Sequence, residues 1–331
     1  MTDKTGYGGK SRYIRPMTTQ LYTHPIFQQH LTAPGHPERP ERLVALEKAL
    51  AAPDFDSLIR LEAPRGSEET ILLAHPESHM ALVAASIPEA GLNRLDPDTV
   101  ASPQTFEAVM HAIGAANAAV DAVFAGKADN AFVASRPPGH HAESETAMGF
   151  CFFNHVAIAA RYARQKHGVE RVAIVDWDVH HGNGTQDIFW TDKSVLYCST
   201  HQMPLYPGTG AVSETGVGNI FNAPLKAGDA GAEFQTAMED IILPALNLFE
   251  PELLIISAGF DAHVRDPLGS LELEEDDFAW ATLQLMEIAD THSNGKIVSV
   301  LEGGYDLQGL AGGVGAHLQA LLHGNAALNE D

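Results

Sequence analysis

The stretch Arg171-Val172-Ala173-Ile174-Val175-Asp176-Trp177-Asp178-Val179-His180-His181-Gly182-Asn183-Gly184 carries the decisive pattern. Its first part is a short β-branched apolar run, as in a strand buried on both faces, and its second part crowds titratable groups against turn-forming glycines. The same transition recurs along the chain. A strand expected at 130–134 leads into Arg136-Pro137-Pro138-Gly139-His140-His141, one at 194–199 into Ser199-Thr200-His201, one at 253–257 into Gly259-Phe260-Asp261-Ala262-His263, and one at 296–301 into Glu302-Gly303-Gly304-Tyr305. Between them, helices are expected at 154–167 (stopped by Gly168), 231–249, 274–291 and 307–322. Ser102-Pro103 reads as the cap and first turn of a further helix carrying Phe106, Val109, Ile113, Val120 and Phe124 to Gly126. This alternation predicts an α/β fold: a single-domain open parallel β-sheet with helices on both faces and the active site at the carboxyl ends of the strands.

Of the 331 residues, 45% are hydrophobic, enough for one large core. No repeat or linker divides the chain; residues 1–17, polar and Gly-rich, read as a loose arm, and 18–331 as one domain. The 43 acidic residues against 20 basic ones give a formal charge of −23. That excludes a nucleic-acid partner bound through a basic surface. Two cysteines are too few for a disulfide framework, the N-terminus lacks a signal-like apolar stretch, and no apolar run approaches a membrane span. A reducing, cytoplasmic context is expected. Glu272, Glu274, Glu275, Asp276 and Asp277 crowd together after the Asp261 loop, where a negative field facing the entrance would attract cationic substrates. Seventeen histidines direct the search to metal and acid/base chemistry.

Asp178 and His180 lie two apart as a strand ends, so their side chains project to one side and can grip one ion. Asp261, from a neighbouring strand, is the best third ligand and leaves a fourth position open, the arrangement of a catalytic zinc site. A water on such a metal still needs a proton acceptor, and His140-His141, stiffened by Pro137-Pro138, can face it. Asp176 and Asn183 are available to their distal ring nitrogens; an aspartate raises imidazole basicity and an asparagine only orients it, so one histidine is expected to be more basic. Tyr305, after two glycines, is placed to donate to a developing oxyanion. Gly208-Thr209-Gly210 is a turn, because it lacks the lysine and spacing of a phosphate loop.

These blocks resemble the zinc-dependent histone deacetylases of the arginase/deacetylase fold. Gly35-His36-Pro37-Glu38-Arg39-Pro40-Glu41-Arg42, Arg136 to His141, Gly149-Phe150-Cys151, Asp176 to Gly184, Pro207 to Gly210, Gly259 to Asp261 and Glu302 to Tyr305 match in order, covering about residues 20–320. Arg136 to His141, and Asn183 where class I members carry Asp, resemble the class II and bacterial histone deacetylase-like amidohydrolase branch. The resemblance implies a catalytic domain with Asp178, His180 and Asp261 as zinc ligands. It makes His141 the general base, His140 with Asp176 its electrostatic partner, and Tyr305 the group that polarises the acyl carbonyl. Gly149, Phe150 and Tyr206 would wall a channel for a lysine stem, with Leu268 and Asp98, or Asp96 beside it, at the rim. A monovalent cation, usually potassium, would be held at Asp176, Asp178, His180, Ser199 and Thr200. A second cation would sit at Phe189, Asp192 and Val195, where Asp192 departs from the usual small hydroxyl residue.

The implied partner is an acetylated lysine peptide or protein, or an acetylated amine or polyamine; homo-oligomers stay open. Acetylpolyamine amidohydrolases share every catalytic motif, so specificity must lie in the rim. There the short 80–102 segment and Leu268 after Asp266-Pro267 are as in lysine-directed class II members. The di-manganese ureohydrolases share the fold but need more carboxylates than a site with His181 after His180 offers. A catalytically inactive acyl-lysine-binding module would lack Tyr305 or a zinc ligand, and all are present.

Overall fold

The computed structural model describes residues 17–324. Residues 1–16 of the expected arm and 325–331 of the expected domain lie outside the described residues. Met17 belongs to the body: its N–H donates to the Leu322 carbonyl at 3.2 Å and its side chain packs on the core.

In chain order the elements are β1 (Thr19–Thr23), α1 (Glu41–Ala49), β2 (Ile59–Glu62), α2 (Glu68–Ile71), α3 (Glu77–Ser86), β3 (Asn93–Arg94), β4 (Val100–Ala101), α4 (Thr105–Phe124) and β5 (Asn130–Val133). There follow α5 (His155–His167), β6 (Val172–Asp176), α6 (Asn183–Phe189), β7 (Val195–Gln202), β8 (Ile220–Leu225), α7 (Gly231–Ala237) and α8 (Leu243–Phe249). The chain then forms β9 (Leu253–Ala258), α9 (Glu275–His292), β10 (Ile297–Leu301) and α10 (Leu307–His323). Eight strands form one parallel sheet in the order β2-β1-β5-β10-β9-β6-β7-β8, and β3 pairs with β4 as a separate antiparallel ribbon.

The five strands expected from sequence are β5, β10, β9, β6 and β7, and these are adjacent. Their carboxyl ends therefore open onto one stretch of the sheet edge. Adjacent residues of each strand face opposite sides, and helices cover both: the Tyr22 hydroxyl reaches the Ala118 carbonyl of α4 on one side, while Ser299 meets His317 of α10 on the other. α4 packs on α5, and α10 packs on α1 and α9. No helix among the described residues is long and apolar enough to cross a membrane.

Local chemistry sets the helix ends. Asn154 caps α5 by accepting the Ala157 N–H, and Gly168 ends it in a left-handed conformation (φ 67°). Ser102 does not cap α4. The helix starts at Thr105, and Ser102 donates its N–H to Thr105 Oγ1 while accepting the Leu31 N–H. The helix expected over 231–249 is interrupted by a π-turn at Met238–Ile242, because Pro244 supplies no N–H to an α-helical ladder. The acidic cluster at 272–277 does not line the active-site cleft. Glu275, Asp276 and Asp277 occupy the first turn of α9, where they oppose the helix dipole, and Asp277 accepts the Glu274 N–H.

Candidate active site

Asp178 and His180 leave β6, Asp261 leaves β9, and their ligand atoms lie within 4.8 Å of one another, all three residues buried. His180 Nδ1 is 3.1 Å from an oxygen of each carboxylate. Backbone N–H groups steer the acids: Gly303 donates to Asp178 Oδ2 and Val179 to Asp261 Oδ1, both at 2.8 Å. A Cβ at Gly303 would collide with both carboxylates, so glycine is what lets the loop after β10 close over them. Burial and the neighbouring Asp178 push the Asp261 carboxyl up to about 7, against the pull of His180. Two buried carboxylates that resist ionising together, beside one imidazole, form a donor set that fits a divalent cation.

The loop after β5 brings both histidines to the triad. His140 Nδ1 bonds Asp176 at 2.9 Å, and His141 Nδ1 bonds Asn183 Oδ1 at 2.8 Å. Their environments split them. Burial alone would lower His140, but Asp176 and Asp178 overcome it and hold the ring well above its ordinary range. His141 is pushed well below that range by burial, then by His140 and His180. Glu302 aligns the loop from beneath, accepting the N–H groups of Gly139 (2.6 Å) and His140 (3.1 Å).

Tyr305 is buried, and its N–H donates to Asp266 at 2.6 Å. Burial pushes the phenol well above its usual range; Arg42 opposes that, and Asp261 and Asp178 reinforce it. Arg42 lies 4.9 Å from the Tyr305 ring and donates to the Gly304 and Glu302 carbonyls, each at 2.6 Å. Behind it Glu38 joins Arg42 to Arg136, which also donates to the Phe27 and His30 carbonyls. Burial would raise the Glu38 carboxyl; Arg136, His30 and Arg42 reverse this and hold it well below the carboxylate range.

A cleft of about 270 Å³ reaches this floor. His141, His180 and Tyr305 line it together with Gly149, Phe150, Tyr206, Leu268 and Asp98, so all five residues expected at the channel border it. Asp96 does not; it accepts the N–H groups of Asp98 and Thr99 and shapes the loop. Leu205 also lines the cleft, and His36 stacks edge-on against Phe150 at 4.8 Å. No sequence feature distinguishes Leu205, and His36 falls in the Gly35–Arg42 motif. Phe150 itself has φ 69°, an uncommon conformation held by its N–H bond to Thr99 Oγ1.

Of the expected cation positions, Asp176 and Ser199 are register partners on β6 and β7, with Asp178, His180 and Thr200 adjoining and all buried. The second expected site is not an open cage. Asn219 Nδ2 donates to the carbonyls of Phe189 (2.9 Å), Asp192 (3.1 Å) and Val195 (2.9 Å), so these oxygens already have a partner.

A sequence profile of the histone deacetylase domain matches residues 36–321. The chain belongs to the histone deacetylase family. It is 42% identical over 279 residues to a histone deacetylase-like amidohydrolase of Pseudomonas aeruginosa, covering 82% of this chain and 73% of that protein. It is 39% identical over 301 residues to human polyamine deacetylase HDAC10, covering 86% of this chain and 44% of that longer protein. Among solved structures, the HDA15 HD domain superposes with a TM-score of 0.87 at 35% identity, covering 92% of this chain and 89% of the other. This family member is a hydrolase, a deacetylase of acetylated amines.

Proposed function

We propose that the cleft carries out zinc-dependent deacetylation of an acetylated amine on an extended aliphatic stem, acetyl-lysine in a peptide or protein. The supporting observation is the convergence of Asp178, His180 and Asp261 at the floor of a cleft bordered by His141, Tyr305, Phe150 and Tyr206. Two carboxylates and one imidazole are a ligand set for zinc with a position left open. When bound, zinc supplies Lewis acidity toward the acyl oxygen and brings the pKa of a water from 15.7 to about 7. His141, neutral and free at Nε2, would take a proton from the attacking water and pass it to the departing amine. His140, charged and braced by Asp176, stabilises the negative charge that develops nearby. Tyr305 keeps its proton and donates it in a hydrogen bond to the carbonyl oxygen as that oxygen becomes an oxyanion. Phe150 and Tyr206 hold the methylene stem. Asp176, Asp178, His180, Ser199 and Thr200 would hold potassium beneath, offsetting the buried carboxylates.

Acetylpolyamine is the second reading, supported by the relative that is named a polyamine deacetylase. Leu268 favours acetyl-lysine: an apolar side chain at the rim offers nothing to the second ammonium of a polyamine. Zinc content and kcat/KM for an acetyl-lysine peptide against acetylputrescine test both. Higher kcat/KM for acetylputrescine reverses the order, and protein with bound zinc but no turnover on either substrate refutes the assignment.

A further inference from the structure

We propose that Glu143 is a positioning residue that, through Asn183, fixes which ring nitrogen of His141 carries the proton; this rests on His141 being the proton acceptor. Asn183 spans the two groups. Its Oδ1 lies 2.8 Å from His141 Nδ1, and its Nδ2 donates to Glu143 Oε1 at 2.8 Å and more weakly to Met148 Sδ at 3.3 Å. The two ends of a primary amide are nearly alike in shape but opposite in hydrogen-bonding sense. In the observed orientation His141 must donate from Nδ1, which leaves the Nε2 lone pair for a proton from the cleft. Turned over, the amide would donate to Nδ1 and move the ring proton to Nε2, where it blocks that role.

His141 cannot choose between the two orientations, because a neutral imidazole can donate or accept at Nδ1. Glu143 can. A carboxylate only accepts, so it pairs with the NH2 end of Asn183 and repels the oxygen end; a hydrogen bond to a charged group biases such a choice roughly ten- to hundredfold. The geometry is built to last. Glu143 N–H donates to the Thr146 carbonyl (3.0 Å), and Ser144 N–H donates to Asp187 of α6, the helix that Asn183 begins (3.0 Å). Gly184 has no Cβ to collide with the Ala142 carbonyl, which lets the two segments approach. The backbone of Gly149 closes on the His141 ring from another side, where a Cβ would collide with Cδ2.

The test reverses the sense of the contact. Glu143→Lys puts a donor against Asn183 and favours the turned amide. It is expected to lower kcat by roughly tenfold or more with little change in KM. Asn183→Asp removes the NH2 end and sets two carboxylates face to face, so it too is expected to lower kcat. In the double variant the new ammonium meets an acceptor that again receives the His141 Nδ1 proton, and kcat is expected to exceed that of both single variants. Losses that merely add would make Glu143 a structural residue and overturn the proposal. Nitrogen NMR of labelled imidazole in the zinc-loaded protein reads the tautomer without turnover. Native His141 is expected to be protonated at Nδ1, and Glu143→Lys, or Glu143→Ala if the first does not fold, to shift protonation toward Nε2. A native ring protonated at Nε2, or a tautomer unmoved in the variant, overturns the proposal even in a protein that proves inactive on every acetylated amine.

Discussion

Replacing Asn219 with alanine removes the amide at which three backbone carbonyls converge, those of Phe189, Asp192 and Val195. The residue is buried, and its Oδ1 also accepts the Val217 N–H at 3.2 Å. A buried acceptor left unpaired costs about 1–3 kcal/mol; because two N–H groups serve three carbonyls, the loss amounts to about two such bonds, or about 2–6 kcal/mol. At an unfolding entropy of about 2.1 cal/mol/K per residue, the chain loses roughly 3–9 °C in Tm. The vacated carbonyls are also the ligand chemistry that replaces water around potassium. Potassium at about 100 times its Kd would return about 2.7 kcal/mol. Urea unfolding of native and Asn219→Ala protein, in potassium chloride and in tetramethylammonium chloride at equal ionic strength, measures both effects. The native response subtracts whatever potassium contributes elsewhere. A loss under about 1 kcal/mol would mean that the amide does not hold the cage together. An equal potassium response in both proteins would mean that the carbonyls do not take a cation when the amide is gone.

Tyr305→Phe is expected to fold and keep its zinc while losing about 10²–10³ in kcat, the cost of one oxyanion donor; metal analysis beside steady-state kinetics checks it. His317 lies fully buried between Thr282 and Ser299, and burial pushes its pKa down to about 3. Its unfolded value is near 6.5, so the unfolded chain takes up the proton first. The stability from keeping this ring neutral is complete above pH 6.5 and is lost at up to about 1.4 kcal/mol per pH unit as pH falls toward 3. Denaturant titrations from pH 7 to 4.5 should show a shallower decline for His317→Gln than for the native protein. Leu268→Glu is expected to raise the ratio of kcat/KM for acetylputrescine over an uncharged acetylated alkylamine by roughly two- to fivefold, as an exposed ion pair would, with added salt erasing the gain.

The central strands were legible because a strand buried on both faces must be apolar throughout, as Val172–Val175 and Leu253–Ile256 are, and because each then ends abruptly in polar residues. The sheet edges break both conditions. β2 is largely exposed, its neighbour β1 is polar at Thr19, Gln20 and Thr23, and β8 contains Asn222 and Pro224, tolerated because an edge strand has one side without ladder bonds. The site divides the same way. Asp178, His180, Asp261, His140, His141 and Tyr305 announce themselves because their side chains do the chemistry and sit where strands end. Leu205, Asp266 and Glu143 act through tertiary contacts, which spacing does not encode. The carbonyl cage is the extreme case. Every residue carries a carbonyl, so a site built from three of them has no residue type of its own, and only the group at its centre can betray it. Asp192, where the resemblance leads one to expect a small hydroxyl residue, is the one local departure there. The amide that meets the three carbonyls, that of Asn219, sits 24 residues after Val195, at the entry to β8, the strand whose own signal was lost to a proline. What occupies such a cage is therefore decided by how an edge strand pairs, and becomes visible only once β7 and β8 are in register.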